Sequence, residues 1–231
     1  AGNDTFTADN TGSAEVTSVA DTLDGGGGLG DAYNVFSDGT IGAMPTLKNI
    51  EIINIYDEDT DYSLADISSA VTTANFIRGD GLVTFTVPAT ITKVGLENFS
   101  LTTTGIVIAA AAADTAIEID LNKITTAAGA VNEDVALTGA GLKTVTVTTR
   151  GTASSLDDLD VAGATTVNIN TLNAVGLDLG ELVTTGTKAT VNITGAGNVG
   201  LGVLDDGFTT LAAGDATGNI SMTGPGSGNL D

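Results

Sequence analysis

The chain has no cysteine, no histidine and no tryptophan among its 231 residues. These absences exclude disulfides, thiolate chemistry, zinc sites built on Cys or His, and catalytic units of the Ser-His-Asp or Cys-His kind. Only 7 residues are basic, which is too few to neutralise a nucleic-acid backbone. We therefore expect no nucleic-acid partner.

Long apolar runs are also missing, and none approaches the ~20 residues of a membrane-spanning helix. We therefore expect no transmembrane segment. Ala1 does not open a signal peptide, and the last residues carry no helix signal. From these features we expect a piece of a longer protein.

Acidic residues, glycine and threonine are abundant. The 29 acidic residues give a net charge of −22, yet charged residues make up only 16% of the chain. Helices usually carry many Lys, Glu and Arg on the exposed face, whereas Thr and Val favour strands and the 31 glycines favour turns. With 42% hydrophobic residues the chain can form a core, so the composition predicts an all-β fold.

A chain this acidic suits surroundings rich in cations, which offset self-repulsion. Two interpretations fit: a secreted protein at the cell surface in the presence of calcium, or a soluble protein of a halophile. Because no disulfide can stabilise the fold, bound cations are the obvious alternative.

An internal repeat predicts the architecture. Residues 142–148, 164–170 and 188–194 are similar segments at offsets of 22 and 24, and 207–212 is a weaker copy. Each segment alternates apolar and polar residues, as half-buried strands do. The apolar side chains should face inward and the Thr and Asn side chains outward; the inward set is Val145, Val147, Val167, Ile169, Val191 and Ile193.

Further strands are predicted between the copies, at 156–161, 175–179 and 199–203. A period of 20–24 residues with two or three strands is typical of a parallel β-solenoid, which we expect to be right-handed. About six coils from residue 90 onward would form a rod of roughly 30 Å. A sandwich of antiparallel hairpins is the alternative, and residues 106–113 could instead form a helical turn.

The aromatic residues divide the chain, since every one except Phe208 precedes residue 100. We therefore expect a wider core in the first part and a narrow, aliphatic core in the second. The predicted boundaries are 1–90 for a calcium-binding, β-rich part and 91–231 for the solenoid, although one continuous domain is also compatible with the pattern.

Two segments near the start combine glycine with aspartate: Gly-Asn-Asp-Thr-Phe at 2–6, and Asp-Thr-Leu-Asp-Gly-Gly-Gly-Gly-Leu-Gly-Asp at 21–31. Calcium prefers six to eight oxygen ligands from carboxylates and carbonyls, and glycine turns bring carbonyls close together. The alternative to a calcium site is a tight turn with solvated aspartates.

These segments resemble the calcium-binding nonapeptide repeats of repeats-in-toxin (RTX) proteins. Their order, followed by the phrase Leu-Lys-Asn-Ile-Glu-Ile-Ile-Asn-Ile at 47–55, is similar to that in Caulobacter-type S-layer proteins and related type I-secreted adhesins. The glycine loop is one residue longer than the family pattern. The resemblance implies calcium at a set of carboxylates and carbonyls: Asp4, Asp21, Asp24 and Asp31, with Gly2, Gly26 and Gly28.

Other acidic segments are weaker candidates. Asp57, Asp59 and Asp61 lie in a dense acidic loop that lacks the glycine and the terminal glutamate of an EF-hand, so a calcium site and a solvated loop both remain open. Residues 157–160 and 205–207 are predicted at solenoid corners, where Asp and Gly are ordinary turn residues.

Enzymatic activity is not expected. Paired carboxylates of glycosidases act in clefts lined by aromatics, and the predicted solenoid has almost none. The outward Thr and Asn rows could form an ice-binding type of face, or a solvated strand surface.

The resemblance and the charge together predict a structural cell-surface protein, secreted by bacteria, that self-assembles with calcium into an S-layer-like lattice, filament or matrix. The alternative is a non-catalytic binding or spacer module of a large RTX-type adhesin. The expected partners are further copies of the chain, calcium and surface polysaccharide.

Overall fold

The structure, a computed structural model, describes residues 2–11, 18, 20–37, 44–56, 61–65, 67, 70–79, 83–101, 105–126 and 135–225. In these ranges parallel strands stack into a β-solenoid. The predicted all-β, solenoid fold is therefore confirmed. A short 3₁₀ turn, Leu172–Ala174, is the one helical element of this described part.

One strand of each coil joins a first parallel ladder, in which every strand pairs with the next coil. Its strands are β1 (Thr5–Asn10), β3 (Ala32–Ser37), β5 (Ile52–Tyr56), β7 (Thr73–Gly79), β9 (Lys93–Leu101), β11 (Ala116–Asn122), β14 (Thr144–Thr149), β16 (Thr166–Thr171), β18 (Ala189–Gly195) and β21 (Phe208–Ala216).

The returning chain forms a second parallel ladder. Its strands are β6 (Tyr62–Ser63), β8 (Val83–Val87), β10 (Ile106–Ala110), β12 (Thr125–Thr126), β13 (Val135–Thr138), β15 (Ser154–Val161), β17 (Leu177–Val183), β19 (Val199–Gly200), β20 (Val203–Leu204), β22 (Ile220–Ser221) and β23 (Gly224–Pro225). A separate pair consists of β2 (Thr22–Asp24) and β4 (Thr46–Lys48).

The predicted repeat sets the register of the first ladder. Thr144 pairs with Thr166 and Thr166 with Thr190, which reproduces the offsets of 22 and 24 residues. Thr190 then pairs with Thr210, although the ladder between β18 and β21 contains irregularities. Because equivalent positions of successive copies pair with each other, like residues form columns that run across the coils.

The core lies between the two ladders, as the alternation predicts. Each of the inward side chains named above is at most 1% exposed, and full burial of one Val or Ile contributes about 1.5–3 kcal/mol. The core of the first coils contains stacked rings of Phe76 and Phe85, whose centroids are 3.6 Å apart, and Phe99 packs edge-on against Phe85.

The ladders cross the predicted boundary without interruption, because β7 before residue 90 pairs with β9 after it. The division into 1–90 and 91–231 stays a prediction. The strands of the first ladder from β9 onward are β9, β11, β14, β16, β18 and β21, in agreement with the expected six coils.

The helical interpretation of residues 106–113 is wrong. Ile106–Ala110 is strand β10, which pairs on one side with β8 and on the other with β13. Hydrogen bonding of β10 to a neighbouring strand on each side outweighs the helix preference of the alanine run. The chain then turns, and the amide of Asp114 donates to the carbonyl of Ala111.

Asparagine side chains form a column outside the first coils. The amide of Asn54 donates to Asn34 and the amide of Asn75 donates to Asn54, each at 2.7 Å. The column ends at Gly95, where a methyl group would overlap the side-chain oxygen of Asn75. Amides stacked in this way satisfy one another along the axis of the solenoid.

Glycine at position 202 is required by close packing between coils. Gly202 has φ +54°, and a methyl group there would overlap the carbonyl oxygen of Gly180 on the preceding coil. Gly202→Ala should therefore lower the free energy of unfolding by about 2 kcal/mol or more, measured by chemical denaturation.

The control is Gly214→Ala, because Gly214 on β21 has open space around it. This variant should change stability by no more than about 0.5 kcal/mol. Equal stability of both variants would contradict the packing explanation.

Candidate cation site

Asp31 is the centre of the candidate site. It lies directly before β3 and is fully buried. One carboxylate oxygen, Oδ1, accepts a hydrogen bond from the amide of Asp4 at 2.6 Å. The other oxygen, Oδ2, is buried and has no hydrogen-bond partner. A buried, charged oxygen without a partner carries a desolvation penalty that a ligand would remove.

A space beside Gly28 is bounded by oxygen atoms. A methyl group on Gly28 would lie 2.7 Å from the carbonyl oxygen of Gly2, and 3.0 and 3.2 Å from the two carboxylate oxygens of Asp31. Because glycine has no such methyl group, this space stays open. Three oxygens of two chemical types, carboxylate and carbonyl, thus face one point, and these are the ligand types that calcium prefers.

The glycine loop also packs closely against Asp31. A methyl group on Gly25 would overlap the carbonyl oxygen of Asn49 and would lie 2.7 Å from Cβ of Asp31. Gly26 has φ +75°, a conformation that other residues rarely adopt. The glycine run therefore has a structural reason that is independent of any ligand: it allows the loop to pass next to a buried carboxylate.

Two predicted ligands make local contacts instead. Oδ1 of Asp24 accepts from the amide of Gly26 at 2.9 Å and from Nδ2 of Asn49 at 2.8 Å. The bond from Gly26, followed by that from Asn49, holds the pKa of Asp24 below its usual value. Oδ2 of Asp21 accepts from the amide of Ser18 at 2.8 Å. These hydrogen bonds give Asp24 and Asp21 turn-stabilising roles, and their ligation of calcium stays a prediction.

The predicted cluster of several carboxylates is not assembled. Within the described residues, no group of three or more Asp or Glu side chains is placed to hold a metal ion. Gly2, Gly28, Asp4 and Asp31 do come together, with Asp4 contributing its backbone amide. Any cation here would depend on the Asp31 carboxylate and on main-chain carbonyls.

Of the acidic segment after β5, only the last predicted ligand lies within the described residues. Asp57 and Asp59 lie outside the described residues. Asp61 is exposed, and its Oδ1 accepts from the amide of Thr84 on the next coil at 2.6 Å. This contact gives Asp61 a role in stacking of coils, and the calcium interpretation of the loop stays a prediction.

Glu51 is a residue at this site that the sequence analysis did not select. Its carboxylate accepts from the amide of Asp31 at 3.0 Å. A signal was present: Glu51 follows Asp31 by 20 residues, one coil period, and so lies beside it on the next coil.

A second group of charges lies outside β9 and β11. Asp120 is only 6% exposed, and its Oδ2 lies 2.9 Å from Nε of Arg150 and 3.3 Å from Nζ of Lys93. Lys93 also contacts Glu118 at 2.8 Å, and Arg150 contacts Glu97 at 3.2 Å. Burial opposes the charge of Lys93, but the bond with Glu118 and the charge of Asp120 outweigh it and raise the pKa of Lys93.

Residues 157–160, predicted at a solenoid corner, lie instead within strand β15, where the carboxylates of Asp160 and Asp205 repel each other. Burial, followed by the negative charge of Asp205, raises the pKa of Asp160 above its ordinary value of 3.8. The folded chain therefore holds this proton more tightly than the unfolded chain does. The resulting contribution to stability is complete below pH 3.8 and is lost as the pH rises through the folded-state pKa.

Comparison with known proteins finds no match: no family model, no curated protein and no solved structure is similar to this chain. Among the described residues, no helix is long and apolar enough to cross a membrane.

Asp160→Asn should raise the midpoint of thermal unfolding at pH 7 by about 1–2 °C, because it removes the repulsion from Asp205. The gain should vanish near pH 3, where Asp160 is protonated. Calorimetry at several pH values measures both effects.

Asp215→Asn removes the same charge from an exposed position on β21 and serves as the control. If both variants shifted the midpoint equally at every pH, the loss of net charge would explain the result and the interaction with Asp205 would not.

Proposed function

We propose that the chain belongs to a structural cell-surface protein that requires calcium to fold fully and to assemble. The observation that carries this proposal is the buried Asp31, whose unpartnered Oδ2 and neighbouring Gly2 carbonyl face the open space beside Gly28. The residues present fit calcium, because a hard cation would satisfy these oxygens together. Asp31, the carbonyl of Gly2 and further main-chain carbonyls would hold it.

The charge of the chain supports a dependence on divalent cations. At a net charge of −22, folded chains repel one another and each chain repels itself. A bound divalent cation cancels charge where Asp31 is buried, and cations in solution reduce the rest. Calcium is scarce in the cytosol and abundant outside, so complete folding would follow export, as the resemblance to type I-secreted proteins implies.

An architectural role fits the scaffold. The described solenoid surface carries columns of Thr and Asn, and a rod of parallel coils is a rigid spacer. Self-association into a lattice or filament follows from the resemblance and becomes favourable once cations remove the repulsion between copies. This proposal requires no catalytic group.

Calcium should bind to the wild-type protein and stabilise it. At a concentration of 100 times Kd, the gain is about 2.7 kcal/mol, which corresponds to a rise of about 5–10 °C in the unfolding midpoint for a chain of this size. Titration calorimetry measures binding, and thermal unfolding in calcium and in EGTA measures stabilisation.

Asp31→Asn should lose the calcium-dependent gain and yet be no less stable than wild type in EGTA, because it removes a buried charge while keeping an acceptor for the Asp4 amide. Asp215→Asn, an exposed charge removal, should retain the gain. Absence of calcium binding by the wild-type protein would refute the proposal, as would unchanged binding by Asp31→Asn.

The second candidate, a binding module of an adhesin, is favoured by two adjoining troughs outside the second ladder. Each has a volume of about 470 Å³, and they share one column of small polar residues: Ser155, Asp178, Gly200 and Ser221. The hydroxyl and carboxylate groups of this column are suited to hydrogen bonds with a polysaccharide strand.

Affinity electrophoresis in gels containing dextran tests this second candidate. The wild-type protein should be retarded and Asp178→Ala should not, while Asp215→Ala controls for the change in charge. Equal mobility of all three proteins with and without dextran would count against polysaccharide binding by these troughs.

A further inference from the structure

Glu51 connects the cation site to the following coil. Asp31 lies directly before β3, and Glu51 lies directly before the next strand of the ladder, β5. Three hydrogen bonds join the two positions. The amide of Asp31 donates to Oε2 of Glu51 at 3.0 Å, while the amides of Glu51 and Ile52 donate to the carbonyl of Asp31 at 3.0 and 3.1 Å.

The backbone part of this pattern recurs along the same corner. The amides of Thr72 and Thr73 donate to the carbonyl of Glu51, and those of Thr92 and Lys93 donate to the carbonyl of Thr72. Ordinary stacking of the coils therefore needs only the backbone. The side-chain bond from Glu51 back to the amide of Asp31 is additional, and threonine takes the equivalent corner positions 72 and 92.

This additional bond acts on the residue that carries the unpartnered oxygen. The amide of Asp31 is held by Glu51 from the third coil, and Oδ1 of Asp31 is held by the amide of Asp4 from the first. With both groups fixed, Oδ2 is directed toward the space beside Gly28. Hydrogen bonds to charged groups are stronger than those between neutral groups, so loss of one would loosen this arrangement.

We infer that Glu51 is the positioning residue of the cation site and that, through Glu51, cation binding is coupled to docking of the third coil. The inference rests on the proposed function, since it concerns the same site. A cation bound to the Asp31 carboxylate orders Asp31 and therefore the amide that Glu51 accepts. Glu51 bonded to that amide in turn orders the carboxylate that binds the cation. Such coupling is reciprocal by thermodynamic necessity, and calcium thus controls the order of coils beyond the glycine loop.

The test compares Glu51→Ala with Glu51→Gln in the full chain by calcium titration calorimetry. Alanine removes the acceptor for the Asp31 amide, so affinity should fall about tenfold or more. The Glu51→Gln variant keeps an acceptor oxygen, so it should bind calcium several-fold more tightly than Glu51→Ala does. A merely structural role would lower the unfolding midpoint in EGTA without this rescue of affinity.

Glu181→Gln is the matched control, because it removes the same charge from β17, far along the solenoid. It should bind calcium as the wild-type protein does. Wild-type affinity in Glu51→Ala would overturn the inference, and so would Glu51→Gln binding no more tightly than Glu51→Ala.

Amide hydrogen exchange on the wild-type protein provides a second measurement that holds even if Glu51→Ala does not fold. Calcium should slow exchange at Asp31 and also at Glu51 and Ile52 on the third coil. Slowing confined to residues 2–31 would overturn the coupling while leaving calcium binding intact. No calcium binding by the wild-type protein would overturn both the inference and the proposed function.

Discussion

The backbone hydrogen bonds between successive coils are the interaction on which the rest of the molecule depends. A narrow solenoid has no outer layer to cover its strands, so the amides and carbonyls of each coil are satisfied by its neighbours. The ladder holds residues one period apart side by side, such as Val145, Val167 and Val191 inside and Asn168 and Asn192 outside. Core, surface columns and candidate site all follow from this register.

Stability is consequently distributed along the chain, because each coil contacts only the coils next to it. Features that cross several coils therefore have a special role. The Asn34–Asn54–Asn75 column, the charges around Asp120 and the contacts of Asp31 each join three positions of the ladder. Asp31 and Asp120 each also leave one buried carboxylate oxygen without a partner, and at Asp31 that oxygen faces the space beside Gly28.

Much of the fold could be predicted because the sequence repeats with the period of one coil. The alternation around Val145 predicts a strand and the side chains that face the core. The offsets to Val167 and Val191 predict the register between coils. The alanine run at 109–113 misled the prediction, because helix preference is local whereas pairing of β10 with β8 and β13 is not. At the candidate site the calcium ligands stay predictions, and composition could not separate Asp31, which is buried, from Asp24, whose carboxylate stabilises its own turn. Glu51 was missed because only its offset from Asp31 marks it.

The burial of Asp120 has a consequence for the response of the protein to dissolved salt. Ions screen exposed charges strongly and buried ones weakly. The charges of the chain are overwhelmingly carboxylates that repel, whereas the attraction of Lys93 and Arg150 for Asp120 is shielded from solvent on the Asp120 side. Raising the ionic strength therefore weakens the repulsion between carboxylates more than it weakens the attraction at Asp120. The folded state is consequently more stable at high salt than in dilute buffer.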